Sequence, residues 1–173
     1  LKVVLFEKSA MGGVCLNEGC IPTKTLLYSA KMYENALNAE KYGVFGDNIR
    51  FDYSKMVSRK KKIVRKLVLG VESKMKSNKV EVVKGEAFIN SRSSEGIEIG
   101  CNGEKYVGRN LLICTGSEAS VPPIPGLSEA GDVILTNKEI LEMTDRPESL
   151  VVIGGGVIGM EFASFYNSLG SKV

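Results

Sequence analysis

Histidine is absent from the 173 residues. That removes both the commonest proton shuttle and the commonest metal ligand. Cysteine is scarce, with four residues, too few for a secreted disulfide scaffold in a chain this long. The four also make a poor zinc site. Cys15 and Cys20 could form one half, but zinc wants four ligands, and Cys101 and Cys114 lie far downstream without knuckle spacing. No apolar run is long enough to span a membrane, and no charged-then-apolar leader opens the chain. The formal net charge is only +3, too small to point to nucleic acid. The short basic run Arg59-Lys60-Lys61-Lys62 reads as the solvated face of a helix. These absences leave a soluble globular protein with a core of ordinary size in a reducing cytoplasm.

What the chain does have is concentrated in Gly12 to Lys24, G-G-V-C-L-N-E-G-C-I-P-T-K. Two thiols close together can store two electrons as a disulfide. Their spacing is unusual. In an unbroken α-helix, residues five apart lie about 8.7 Å apart at Cα, whereas a disulfide needs about 7 Å or less. The pair can close only if the helix is distorted between Cys15 and Cys20. Gly19 can relax the backbone there, and Pro22 suits the first turn of a new helix. A helix starting near Cys20 would favour a thiolate at that end. The segment reads as a bridge built to open and close; a structural disulfide or two buried thiols are the alternatives the spacing leaves open.

Along the chain, Lys2 to Phe6 reads as a buried strand ending at Glu7. A helix follows from about Pro22 to the late thirties, with Leu26, Leu27, Ala30, Tyr33 and Leu37 at helical spacing. Asp52 caps a second helix, from about Tyr53 to Lys76. Its apolar stripe (Tyr53, Met56, Val57, Val64, Leu67, Val68, Val71, Met75) suits a core or a dimer interface. From Val80 the period changes. Val80–Val83 begins a strand that Ala87–Ile89 continues, and two alternating strands flank the Asn102-Gly103 turn. Together they predict an antiparallel meander. Leu111–Cys114 reads as a fully apolar strand ending at Thr115-Gly116. Val121 to Gly126, with three prolines, is a stiff linker. Thr136 to Met143 is a short helix, Leu150–Ile153 a buried strand, and Gly159 to Leu169 a helix.

Gly154-x-Gly156-x-x-Gly159 lies between that last strand and helix, the context a dinucleotide fingerprint requires. Gly154 permits the tight turn, Gly156 admits a pyrophosphate, and Gly159 lets helix and strand pack closely. The phosphates would meet the free N–H groups of the helix start. Glu7, at the end of its strand, is placed like the acid that holds a ribose hydroxyl.

Together these motifs resemble the pyridine nucleotide–disulfide oxidoreductases. The carriers are the cysteine motif, L-L-I-C-T-G-S, V-P-P-I-P-G and V-V-I-G-G-G-V-I-G-M-E-F-A, in that order over the whole chain. The resemblance implies an α/β fold: an FAD/NAD(P)-binding, Rossmann-like three-layer domain with an inserted antiparallel β-meander, truncated at both ends. Residues 1–147 would be an FAD-binding domain lacking its first strand and phosphate loop, with 121–126 as linker. Residues 148–173 would begin the NAD-binding domain. Cys15 would be the interchange thiol and Cys20 the thiol facing the flavin. Glu7, Gly12, Gly13, Val14, Cys15, Lys24, Ala87, Thr115, Gly116 and Ser117 would contact FAD. Gly154, Gly156, Val157, Ile158, Gly159 and Glu161 would form the NAD phosphate turn. The C-L-N-x-G-C-I-P-T-K form is most similar to the branch of the family that oxidises dihydrolipoyl groups. That implies a lipoyl domain of a 2-oxoacid dehydrogenase or glycine cleavage complex as partner, and a homodimer. A glutathione or mercuric reductase is the alternative, as is a remnant inactive in isolation, because the family's histidine base would lie elsewhere. Glu18 departs from the family's usual aliphatic residue and could raise a thiol pKa or face solvent. Cys114 replaces a common alanine and reads as a buried inert residue; Cys101, in a strand, reads as inert too.

Overall fold

The computed structural model of the chain describes residues 1–127 and 129–173. Its elements run β1 (Val4–Glu7), α1 (Gly13–Glu18), α2 (Cys20–Leu37), a 3-10 turn (Ala39–Tyr42), α3 (Tyr53–Ser77), β2 (Glu81–Lys84), β3 (Ala87–Arg92), β4 (Ile97–Cys101), β5 (Glu104–Gly108), a second 3-10 turn (Gly131–Val133), α4 (Asn137–Glu142) and α5 (Val157–Ser168). The chain divides into two compact units, residues 1–14 with 66–117, and residues 15–65 with 118–173.

In the first unit β1 and β2 pair in parallel, from Val4 opposite Glu81 to Glu7 opposite Lys84. A parallel pair needs a long crossover, and the helices between β1 and β2 supply it. The meander β3-β4-β5 is antiparallel throughout. Its β4–β5 turn is Asn102-Gly103, both at positive φ (53° and 80°), the two-residue geometry that fits strand twist. Ile99 and Cys101 are buried beneath it. The expectation that Ala87–Ile89 continues the preceding strand is corrected. The chain turns at Gly85, φ +153°, so β2 pairs with β1 while β3 pairs with β4.

The second unit is built on helices. Leu26 and Ala30 of α2, Tyr53 and Val57 of α3, Ile140 and Leu141 of α4, and Phe162, Phe165 and Tyr166 of α5 form one buried cluster with Leu169. The Tyr53 and Tyr166 hydroxyls meet at 3.0 Å inside it. Burial pushes both phenols up, since the charged form would be desolvated. Asp52 caps α3, accepting from the Lys55 N–H at 3.0 Å. The Thr136 hydroxyl and the Glu139 carboxylate form a capping box on α4.

Three further expectations are corrected. The basic run at 59–62 is not all solvated face. Lys60 is 2% exposed, donating to the Leu141 carbonyl and to Glu142 Oε1 at 2.9 Å, while Arg59 donates to the Thr25 carbonyl at 3.1 Å. Four consecutive residues turn through most of a helical circumference, so one must point inward. Leu111–Cys114 and Leu150–Ile153 are not strands. Leu112 is 85% and Val151 86% exposed; beside the latter segment a bridge joins Ser149 to Lys172, and the Leu150 N–H donates to the Lys172 carbonyl at 2.8 Å. Apolar composition favours a strand, but a ladder needs a neighbour to receive its hydrogen bonds, and among the described residues neither segment has a partner strand.

Phe165→Ala should destabilise the protein by about 3–5 kcal/mol, the usual cost of emptying a buried aromatic site. Tyr53→Phe, which removes one buried hydroxyl partner, should cost about 1 kcal/mol. Urea denaturation of both variants reads the difference.

Candidate functional site: a cysteine pair at a broken helix

The cysteine segment is two helices, not one. α1 ends at Glu18 and α2 begins at Cys20. Gly19 between them has φ −135° and ψ −116°, far from helical values. The sequence dictates the break. In a continuous helix the Glu18 carbonyl would accept from the N–H of residue 22, but that residue is Pro22, which has no N–H and whose ring would strike the same carbonyl. After the break the ladder resumes at once, with the Gly19 carbonyl accepting from the Thr23 N–H at 3.2 Å and the Thr23 hydroxyl at 2.7 Å.

The break puts the two cysteine side chains in contact. Both are exposed free thiols, and the Cys20 thiol is hydrogen-bonded to Cys15. That bond, partial desolvation and the electrostatic influence of Cys15 push the Cys20 thiol up. Its own backbone N–H and the Lys24 ammonium act the other way but do not win. The expected thiolate preference at the start of α2 is therefore overridden by the neighbouring sulfur. Glu18 takes no part in this shift. Its carboxylate faces Lys138 at 3.6 Å, and its carbonyl accepts from the Asn137 amide at 2.8 Å.

Lys24, one turn along α2 from Cys20, donates to Glu161 of α5 at 2.6 Å. The Glu161 carboxylate pushes the Lys24 ammonium up. Two residues singled out separately in the sequence thus form one ion pair. An open groove of about 420 Å³ lies beside it, lined by Leu27, Gly155, Val157, Met160, Glu161 and Ser164.

The Gly154–Gly159 turn has the space and the donors for a phosphate. Gly154 sits at φ +109°, and a Cβ at Gly154, Gly155 or Gly156 would meet nothing within 4 Å. At Gly159 a Cβ would lie 2.8 Å from the Gly154 carbonyl oxygen and 2.9 Å from Val152 Cγ1, so close packing requires glycine there. Gly156 caps α5 without a side chain, leaving the first N–H groups, at Val157 and Ile158, to an outside acceptor. These residues fit a pyrophosphate.

In the first unit, Glu7 ends β1 and its carboxylate accepts from the Ser9 N–H at 2.8 Å. Gly12 and Gly13 follow at φ +109° and +68°. Gly116, at φ +79°, lies close enough to Val14 that a Cβ would come within 3.2 Å of its side chain. Thr115, Ser117 and Ala87 are exposed. An acidic strand end beside a glycine turn fits a ribose. Cys101 is buried in β4, whereas Cys114, expected to be buried, is exposed, because its segment is not a sheet strand. Among the described residues no group of histidine, cysteine or acidic side chains is arranged to hold a metal, and no helix is long and apolar enough to cross a membrane.

The whole chain, residues 1–173, matches the pyridine nucleotide-disulphide oxidoreductase family and belongs to it. Membership implies binding of FAD and a nicotinamide dinucleotide, as the fit of the two glycine turns allows. Among curated relatives, a dihydrolipoyl dehydrogenase of Acholeplasma laidlawii is 46% identical over 99% of this chain and 51% of its own length. One from Bacillus subtilis is 43% identical over 99% of this chain and 37% of its own length. Among solved structures, the HOCl-induced flavoprotein disulfide reductase RclA of Escherichia coli superposes with TM-score 0.81 at 31% identity, covering 100% of this chain and 36% of that one. The chain thus spans between about a third and a half of the length of these proteins.

Cys15→Ala removes the sulfur that holds the Cys20 proton. Cys20 should then ionise at lower pH than in the parent, and its alkylation by iodoacetamide at pH 8 should accelerate severalfold. A pH series of alkylation rates, followed by mass spectrometry, measures the change.

Proposed function

We propose that the intact protein oxidises a dihydrolipoyl dithiol, using Cys15–Cys20 as a redox disulfide together with FAD and NAD⁺. The observation that carries this reading is the break at Gly19, which brings two exposed thiols into contact in a chain of this family. In the oxidised state one substrate thiolate attacks the Cys15 sulfur. The Cys15–Cys20 bond breaks, a mixed disulfide forms on Cys15, and Cys20 leaves as thiolate. Lys24 favours that thiolate by its charge. The second substrate thiolate attacks the lipoyl sulfur of the mixed disulfide, closes the lipoyl ring and releases Cys15. Two electrons then reside on the Cys15–Cys20 pair, and the substrate has lost two protons. Bound FAD supplies the route by which that electron pair reaches NAD⁺ as hydride.

The chain's own residues divide the binding work. Glu7 holds a ribose, while Gly12, Gly13 and Val14 with Thr115, Gly116 and Ser117 line the flavin cofactor, and Ala87 lies near its adenine. Lys24, paired with Glu161, presents a cation toward the flavin. The Gly154–Gly159 turn, with Val157 and Ile158, takes the nicotinamide cofactor's pyrophosphate. Residues 1–147 serve FAD and 148–173 open the NAD-binding domain. The relatives named as dihydrolipoyl dehydrogenases support a dihydrolipoyl substrate; the reading assigns as partner a lipoyl domain of a 2-oxoacid dehydrogenase or glycine cleavage complex, and as assembly a cytoplasmic homodimer. The likeness to a flavoprotein disulfide reductase supports a second reading, with a different disulfide as substrate.

Cys15→Ser in the intact protein should lower dihydrolipoamide oxidation by NAD⁺ by about a thousandfold. Unchanged turnover would sink the proposal. Parallel assays with glutathione disulfide and Hg²⁺ distinguish the two readings; turnover of either in preference to lipoamide favours the second.

A further inference from the structure

The carbonyl of Glu18 has no partner within its own helices. Pro22 cannot donate to it, and the break at Gly19 leaves it among the orphan carbonyls at the end of α1. Its donor comes from 119 residues away. Asn137 Nδ2 donates to it at 2.8 Å, and the neighbouring Lys138 faces the Glu18 carboxylate at 3.6 Å and Glu118 at 3.8 Å. One residue between the two cysteines is therefore gripped at its backbone and its side chain by the first turn of α4.

That first turn is itself immobilised. Thr136 and Glu139 close a capping box in front of it. Ile140 and Leu141 are buried in the second unit's core, and the buried Lys60 ammonium donates to the Leu141 carbonyl. Asn137 is thus presented from a rigid support. The two grips are not equal. The Lys138 contacts are long and partly exposed, so they contribute little. The amide–carbonyl bond is short and fixes the position of the backbone itself.

We propose that Asn137 is a positioning residue for the cysteine pair: its amide, donated to the Glu18 carbonyl, holds the break at Gly19 open in the geometry in which the Cys15 and Cys20 sulfurs meet. Without it the Glu18 carbonyl must find another donor, α1 shifts relative to α2, and the effective concentration of one thiol at the other falls. The inference rests on the reading that the pair cycles between dithiol and disulfide.

The test is a thiol–disulfide equilibrium on the intact protein in glutathione buffers. Cys15 and Cys20 lose two protons and two electrons to glutathione disulfide; its S–S bond breaks, the intramolecular one forms, and two glutathione thiols are released. The oxidised fraction is read by alkylation and mass spectrometry. Asn137→Asp is the first variant. A carboxylate cannot donate to the carbonyl, yet an acid in the first turn is favourable to α4, so the helix is retained. Asn137→Ala removes the donor without adding charge. Both should lower the equilibrium constant for disulfide formation about tenfold, raising the potential of the pair by about 30 mV. Tyr53→Phe, which weakens the same core without touching α1, should leave the constant at the parent value. Wild-type values in both Asn137 variants would overturn the positioning role and leave the redox reading standing. An equal fall in Tyr53→Phe would also overturn it, by showing a general loosening. A parent protein that forms no Cys15–Cys20 disulfide at any glutathione ratio would overturn the redox reading itself.

Discussion

The denial of one hydrogen bond organises the cysteine site. Pro22 cannot give the Glu18 carbonyl the partner a continuous helix would provide, so the chain must leave helical geometry just before Cys20. Gly19 takes up the change. The consequence is chemical. Two thiols that an unbroken helix would hold too far apart for a bond come into contact, and the orphaned carbonyl becomes a handle that a distant helix can grip. A kink that would be a defect in a structural helix is here the feature that brings the two thiols together.

The second unit surrounds that feature with conventional packing. α2, which carries Cys20 and Lys24, is pinned through Leu26 and Ala30 to the aromatic face of α5. α5 carries Glu161, whose carboxylate reaches back to Lys24. The helix that follows the Gly154–Gly159 turn is therefore tied to the helix that begins at Cys20 by an apolar contact and an ion pair. The pair is partly exposed, so its value lies in placing charge beside the thiols more than in stability.

Much of this was legible without coordinates. The cysteine spacing demanded a distortion, and Gly19 and Pro22 said where. Helical periodicity located α2 and α3, the Gly154–Gly159 motif located α5, and Asn102-Gly103 located the hairpin turn. The failures share a cause. Leu111–Cys114 and Leu150–Ile153 have strand composition, but strand formation depends on a neighbour that local sequence does not reveal. Lys60 shares the charge pattern of its solvated neighbours, and charge patterning does not say which residue of a run faces a carbonyl in need of a donor. The thiolate preference expected for Cys20 came from its helix position alone and left out the competing sulfur.

The sequence by itself determined the local chemistry: a helix that must break between two cysteines, glycines where a phosphate turn needs close backbone approach, and an acid at the end of a strand. Each follows from the covalent properties of a few adjacent residues. Tertiary structure decided which distant groups complete those features. The meeting of Lys24 with Glu161, of Asn137 with the Glu18 carbonyl and of Lys60 with Leu141 joins residues 81 to 137 positions apart. Hydrogen bonds and ion pairs form between whatever groups packing brings within reach, and no short stretch of sequence records that proximity.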